Sequence, residues 1–531
     1  MPGRTICTYR GDPVQITAIL FLLKYPDFLE EAGCVKFKEA DMISFFLGLL
    51  LLIGGYFIYG KFVDTVFHPD DRQTPAYADQ DGVDFVPIKP ANAFLIQLLN
   101  IAGLGPIFGA ISGALWGPVA YIWIVFGTIF AGGVHDYLSG MLSERNNGAS
   151  ISEIVGKYLG PVMMTVMRIF SVVLLVMVGV VFMVGPAGLI DLLTGKTMGV
   201  PFWTVIVLIY YFLATLLPID KLIGKIYPVF GVCLILMALF IGGATLLNNG
   251  QRPMLEVWDH FENMYPGKAL PIWPLMCITI ACGAISGFHG TQSPMIARCL
   301  EDERQGRKIF YGAMVAEGII ALIWAAAAIA FFYDKNGAGT GLQALLDAKG
   351  GNSTVVYTMS TQLCGMVGGV LAMLGVIACP ITSGDTAFRS ARLTIADWFK
   401  IDQKNIKKRL ALSVPLLGIG YLISFMDYST IWRYFSWSNQ TLAMMTLWAG
   451  STYLCKYVGK KYSWIAVIPA TYMSVVSAAY ILQAKEGFKL AAGFSDAAGI
   501  VFAAVCLGLF LVRVYIPTKK VLQDIPLAVK Q

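Results

Sequence analysis

The sequence is short of charge. Of 531 residues only 14% are Asp, Glu, Lys or Arg, while 57% are hydrophobic and the mean hydropathy is +0.67. Soluble domains carry about a quarter charged residues, so this composition excludes an ordinary water-soluble fold and points to a membrane protein of many spans. Histidine is scarce, with only His68, His135, His260 and His289. No GxSxG, HExxH or P-loop occurs, and no acid, base or metal groups converge along the chain, so an enzyme is not expected. No polar stretch is long enough for a nucleotide domain, which sets aside an ATP-driven pump. The ten cysteines show no CxxC or Cys/His metal spacing and mostly lie in apolar runs, where they read as small core residues. The net charge of +6 sits in short loops between apolar runs, which argues against a nucleic-acid partner.

What is abundant is span-length apolar sequence. A helix needs about 20 such residues to cross a bilayer. Candidate spans lie at 42–60, 91–114, 116–139, 161–184, 202–217, 228–247, 272–290, 309–333, 355–380, 410–426, 434–454, 464–483 and 491–513, thirteen in all. One alternate set of loops, with the tail, carries 25 Lys and Arg, and the opposite set carries 8. That bias places the C-terminus and the basic loops in the cytoplasm. The basic segment 389–409 is expected to be a surface helix on that side. Residues 1–41 fit poorly: VQITAILFLL is too short to span, its flanks are charged, and no small-residue cleavage site follows. They are expected to be an extension ahead of Met42, where MISFFLGLLLLIGGYFIYG starts as a clean apolar helix.

Two spans are built to break. NIAGLGPIFGAISG at 100–113 holds Gly103, Gly105 and Pro106 near mid-span, and ITIACGAISGFHGTQSP at 278–294 holds Gly283, Ser286, Gly287, Phe288, His289 and Gly290. Glycine loosens a helix, and proline removes a donor and clashes with the preceding turn. An unpaired peptide group in hydrocarbon costs several kcal/mol, so a break is tolerated only where protein or a water-lined cavity satisfies it. The two breaks are five spans apart and run in opposite directions. This pattern predicts an all-α polytopic fold with a five-plus-five inverted repeat, of the LeuT-like kind: a peripheral span at 42–60, repeats over 91–247 and 270–454, and two further spans with a tail over 464–531. Paired interrupted helices point to a transporter binding site. Their N-terminal ends suit a carboxylate and their freed carbonyls a cation, so Gly103, Gly105, Pro106, Ser286, Gly287, Phe288, His289 and Gly290 are expected to bind substrate. Close helix packing is the competing use of such glycines.

The motifs resemble those of the carbon starvation protein A family, transporters of peptides and pyruvate in the amino acid–polyamine–organocation superfamily. The resemblance runs from Met42 to the last span. IAGLGPIFGA at 101–110 resembles the family's IAGAGP motif, and ITIACGAISGFH resembles its second broken helix. TPAYADQDGVDFVPIKP at 74–90, AGGVHDYLSGMLSERNNGASISEIV at 131–155, SGDTAFRSARLTIADWF at 383–399 and WSNQTLAMMTL at 437–447 resemble further family segments. Two stretches depart from the pattern: Gly290-Thr291-Gln292-Ser293-Pro294 after the second break, and the order Asp385-Thr386-Ala387-Phe388-Arg389. The resemblance implies a secondary active transporter in the cytoplasmic membrane, linked to the carbon starvation response. It would import short peptides or pyruvate by alternating access.

Polar residues inside spans carry the remaining expectations. Glu317, in AMVAEGIIALIWAAAAIAFF, is an intramembrane carboxylate and so a proton-coupling candidate, unless it pairs with Arg307 or Lys308. His289 suits a proton or a carboxylate. Thr382, Ser383 and Asp385 could supply oxygens to a hard cation such as sodium, unless Asp385 pairs with Arg389 one turn on. Asp136, beside His135, is expected to gate or to pack against Arg145. Asn439 and Gln440 are expected to hold helices together, and Arg168 to reach for the membrane surface. No cofactor is expected beyond a coupling proton or sodium ion. The expected partners are a small-molecule substrate and the lipid bilayer. A membrane-embedded sensor that kept this fold without transport is the competing class.

Overall fold

Apolar runs of this length become helices because hydrocarbon offers the backbone no other hydrogen-bond partner. The computed structural model describes residues 42–522 apart from 83, 217, 218, 349, 404 and 520, and gives the backbone alone for 216 and 219–228. The expected extension at 1–41 lies outside the described residues. Those residues form no β-strand; two isolated bridges, Ile88 to Leu300 and Tyr333 to Gly339, tie loops together.

The helices are α1 (Ile43–Phe67), α2 (Pro90–Ile101), α3 (Gly105–Trp116), α4 (Val119–Glu144), α5 (Ile151–Leu159), α6 (Pro161–Leu193), α7 (Val200–Leu216), α8 (Ile219–Leu247), α9 (Leu275–Ile280), α10 (Gly287–Ala297), α11 (Glu303–Phe332), α12 (Gly351–Phe399), α13 (Ile406–Ile423), α14 (Tyr428–Tyr453), α15 (Trp464–Gln483) and α16 (Ala492–Tyr515). Every sequence candidate falls on a helix. Eight of the described helices are long and apolar enough to cross a membrane, and the α2–α3 pair, bent by 54°, makes a ninth. Four candidates fall short by that measure, each for a local reason. The helix α7 has 17 residues, and the 272–290 run is split into two short pieces. In α13, three Lys and Arg residues crowd the first turn, at Lys407, Lys408 and Arg409. In α14, Ser436, Ser438, Asn439, Gln440 and Thr441 lower the hydropathy, yet 438–453 is buried without interruption. That helix is polar because it faces protein rather than lipid.

Segment 389–409 differs from expectation. The part of α12 that follows its break at Gly365 (φ 69°, ψ 178°) continues through it to Phe399, and Arg389 and Arg392 are buried rather than displayed on a surface helix. Arg168 is also buried, its guanidinium over the Trp398 ring.

Burial separates centre from edge. The apolar windows of α4 and α11 are 78% buried, while those of α1 and α8 are 28% and that of α16 is 17%. The centre therefore consists of α2–α3, α4, α9–α10, α11 and α14, braced by α6 lying along α12 and by α14 lying on α15. The carboxylate of Glu256 anchors the start of α1 by accepting from the Ile43 and Ser44 N–H groups at 2.8 and 2.7 Å and from the Ser44 hydroxyl.

Candidate functional site

Both predicted breaks are present, and they touch. A Cβ at Gly105 would lie 2.3 Å from Cys282 Cβ, and one at Gly109 would lie 2.6 Å from the Ile280 carbonyl oxygen. Only glycine lets the two interrupted chains cross this closely. Phe182 of α6 fills the space beside the crossing. Its ring leaves no room for a Cβ at Gly103, and it meets Phe288 edge-on at 6.0 Å between centroids.

At the first break α2 stops at Ile101, and Gly105 and Pro106 begin α3. The freed carbonyls are met from α12: Ser383 Oγ donates to Leu99 O at 2.8 Å, and Cys379 Sγ donates to Ala102 O. Thr382 spends its hydroxyl on Cys379 O of its own helix. Asp385 lies buried nearby with Oδ2 unpaired, while Arg389 donates to Ala214 O across to α7.

The second break runs from Ala281, at φ 40° and ψ −109°, to Ser286, which is extended. Thr128 Oγ1 donates to Gly283 O at 3.2 Å, and Gln440 Nε2 donates to Ile285 O at 2.7 Å. Asn439 Oδ1 accepts from Phe288 N at 2.7 Å and from Ser286 Oγ at 3.1 Å. Thus Asn439 and Gln440 hold the break itself, and Asn439 occupies the second N–H of α10, that of Phe288, at the helix end expected to meet a substrate carboxylate. Gly287 packs against the Asn439 carbonyl, and Gly290 lies inside α10 beneath the His135 ring.

From this break a row of ionisable groups crosses three helices. His135 Nδ1 lies 2.8 Å from Asp136 Oδ1, and Asp136 Oδ2 lies 2.8 Å from His289 Nδ1. His289 Nε2 lies 3.2 Å from Glu317 Oε2. All four residues are wholly buried. The last link is close enough for an ion pair but off the hydrogen-bond line: neither Glu317 oxygen nor His289 Nε2 makes a hydrogen bond. A charge isolated here would be expensive, so one proton decides whether His289 and Glu317 are both neutral or an ion pair. Asp136 orients the imidazole through Nδ1 and leaves Nε2 facing the carboxylate.

Two sequence expectations are redirected by this geometry. Glu317 pairs with His289, not with Arg307 or Lys308; Arg307 instead lies over Tyr56, 4.0 Å from Asp64. Asp136 does not pack against Arg145. That arginine closes a separate network at the end of α4, with Glu303 at 2.5 Å, Tyr453 Oη at 2.6 Å, His68 O at 2.9 Å and the Phe67 ring at 3.9 Å. In the same network Arg72 holds the Asp70 carboxyl well below the usual carboxylate range. His135 was not singled out by sequence, and the only available signal was its place beside Asp136.

Comparisons with known proteins fit this picture. An uncharacterized membrane protein of Haemophilus influenzae is 43% identical over 59% of this chain and 95% of its own length. Peptide transporter CstA of Campylobacter jejuni is 26% identical over 84% of this chain and 81% of its own. Pyruvate/proton symporter BtsT of Escherichia coli is 22% identical over 76% of each. Among solved structures, a manganese transporter of Eremococcus coleocola shares the fold with a TM-score of 0.52 at 13% identity, covering 80% of this chain and 93% of that one. The named relatives are transporters, not enzymes. The profile of the family described as Carbon starvation protein CstA matches residues 40–191, 187–340 and 333–479, and the chain belongs to that family.

Proposed function

We propose that the protein is a proton-coupled secondary active transporter that imports small carboxylate-bearing nutrients, short peptides or pyruvate, across the cytoplasmic membrane. The observation that carries this reading is the buried row His135–Asp136–His289–Glu317 beside the second break. A wholly buried carboxylate without a hydrogen bond, set against an imidazole, is suited to take up and release a proton as its surroundings open and close. The relatives, peptide transporters and a pyruvate/proton symporter, support the substrate range and the ion.

The transport cycle would rock one helix group against another around the crossing of the two breaks. Thirteen spans in a five-plus-five inverted repeat, with the C-terminus and the Arg145–Glu303 network on the cytoplasmic side, fit the sequence directions and the charge bias. The test is uptake of labelled pyruvate and labelled dialanine into proteoliposomes, with a pH gradient, a sodium gradient or neither. Accumulation of either substrate driven by the pH gradient supports the reading. Accumulation driven by sodium alone overturns the proton. No accumulation of either by folded protein overturns transport of these substrates.

A further inference from the structure

Where α4 ends and α11 begins, the protein buries an acid that the proton row does not use. Glu144, the last residue of α4, is buried, and neither of its carboxyl oxygens meets an N–H or O–H donor. Its carboxyl instead faces that of Glu303, the first residue of α11, which is also buried. Glu303 is fully engaged: Oε1 accepts from Arg145 Nε at 2.5 Å, and Oε2 accepts from Asp70 N at 2.7 Å and lies 3.4 Å from Arg72 Nε. These contacts fasten residues 68–78, a strap that follows α1, onto the turn between α10 and α11. Arg145 also donates to His68 O at 2.9 Å, and Thr74 Oγ1 donates to Leu300 O at 2.6 Å. Within the strap Pro75 and Ala76 are buried, Ala76 completely.

Charge balance sets the state of this pair. The ionisable groups around it are Arg145 and Tyr137 of α4, Arg307 of α11, Asp64 of α1, Tyr453 of α14, and His68, Asp70 and Arg72 of the strap. The three arginines already answer three carboxylates: Arg145 meets Glu303, Arg72 meets Asp70, and Arg307 lies 4.0 Å from Asp64, which also accepts from Tyr137 Oη at 2.7 Å. Tyr453 Oη accepts from Arg145 at 2.6 Å, and His68 is exposed and enters through its carbonyl. Glu144 is the carboxyl left over. Ionised, it would be a buried charge set against a second carboxylate; protonated, it can donate to Glu303 and complete the clasp. The same two helices carry the proton row, with Asp136 about two turns along α4 from Glu144 and Glu317 about four turns along α11 from Glu303. Between the two sites α4 and α11 press together at glycines, Gly140 on Phe310 and Gly306 on Met141, so a shift at one end moves both helices.

We infer that Glu144 and Glu303 form a second proton-binding site, a clasp in which one shared proton keeps the strap fastened over the α10–α11 turn and whose loss releases it. On release the O–H bond of Glu144 breaks, the proton passes to water at the mouth, and the two carboxylates repel. The charge on Glu144 then calls for water, and the strap, held by Glu303 itself, is the element that parts. The fastened state holds the proton more tightly than the open one, so fastening is favoured at low pH and lost as pH rises. The inference rests on the transport reading above for its meaning, a cytoplasmic mouth that opens as a proton leaves, but its test uses no substrate and no gradient.

The experiment is alkylation of a reporter thiol by iodoacetamide in the purified full-length chain in nanodiscs. The reporter is Ala76→Cys, enclosed while the strap is fastened, and its peptide is followed by mass spectrometry. Each further variant is compared with this parent at the same pH, which cancels the thiol's own chemistry, and melting temperatures verify folding. The parent is expected to label at least about tenfold faster than its Glu144→Gln variant near about pH 9 and to match it near about pH 6, because the Gln amide donates to Glu303 and has no proton to lose. Glu303→Ala, which strips the acceptor from Arg145 and Asp70 N, should label fast in acid as well as in base. Glu317→Gln should keep the parent's pH profile. Equal labelling of Glu144→Gln and the parent in base, or slow labelling of a folded Glu303→Ala protein in acid, overturns the inference; if Glu303→Ala melts early, Glu144→Gln alone decides. A pH response lost in Glu317→Gln and kept in Glu144→Gln overturns it in favour of the proton row as the sensor. A pH-sensitive strap in a protein that takes up neither substrate would sink the transport reading and leave this one standing, and proton-driven uptake with a strap blind to pH would do the reverse.

Discussion

The two broken helices solve the same backbone problem with different chemistry. At the first break the freed carbonyls of Leu99 and Ala102 are met by a hydroxyl and a thiol from α12, and the polar side chains nearby are the amides of Gln97 and Asn100 and the single carboxyl of Asp385. At the second break the freed groups are met by Thr128, Asn439 and Gln440, and the helix that follows carries His289 into a row of ionisable residues. Both arrangements satisfy the rule that irregular backbone in a membrane must be paired within the protein. Pairing therefore explains why the breaks are stable, while the extra groups differ: one isolated carboxyl, Asp385, beside the first and a contiguous ionisable row beside the second. In the reading proposed here the second break carries the group that moves a proton.

Four substitutions would break or sharpen this contrast. The largest effect is expected for Glu317→Gln, which keeps the shape but ends proton exchange with His289. Uptake driven by a pH gradient should fall about a hundredfold or more, roughly 2.7 kcal/mol, while substrate counterflow without a gradient persists. Gradient-driven uptake at the native rate would remove Glu317 from coupling. Next comes Gly109→Ala, which drives a methyl group into the Ile280 carbonyl at the crossing. It should destabilise the protein by about 3 kcal/mol, read as a lower melting temperature, and damage both breaks at once. An unchanged melting curve would mean that the crossing is looser than drawn.

Asn439→Ala should act on the second break alone. It strips the partner from Phe288 N and Ser286 Oγ, and the buried donors left behind should cost about 2 kcal/mol. Proton-driven uptake should weaken in step, because the same residues hold the start of the helix that carries His289. Normal coupling in a destabilised Asn439→Ala protein would separate the brace from the row. The smallest effect is expected for Ser383→Ala, which removes one hydrogen bond to Leu99 O and should cost about 1 kcal/mol. If sodium dependence of uptake were lost with it, Ser383 would instead be an ion ligand.

The breaks were legible because glycine and proline act locally, and the intramembrane carboxylate Glu317 stood out against an apolar run. Much of the site was not legible. Asp136 and His289 are 153 residues apart, as are Ser286 and Asn439. No spacing rule joins such pairs, which meet only where α4, α10 and α14 pack. His135 gave a weak signal for the opposite reason. Neighbours in a helix sequence point in different directions, yet here its ring turns back onto Asp136 Oδ1. The same distinction applies to α14 and to segment 389–399. The sequence read one as an ordinary span and the other as part of a surface helix, while burial by neighbours enclosed α14 and covered Arg389 and Arg392.

By itself, the sequence determined that this chain lies in a membrane, that it is helical, and where two of its helices fail. Those properties follow from how many apolar residues stand together and from what glycine and proline do to their own turn. Only the tertiary structure decided what fills each failure and which ionisable groups meet. Those outcomes depend on distances of about 3 Å between residues far apart in the chain, and these are set by how closely helices cross.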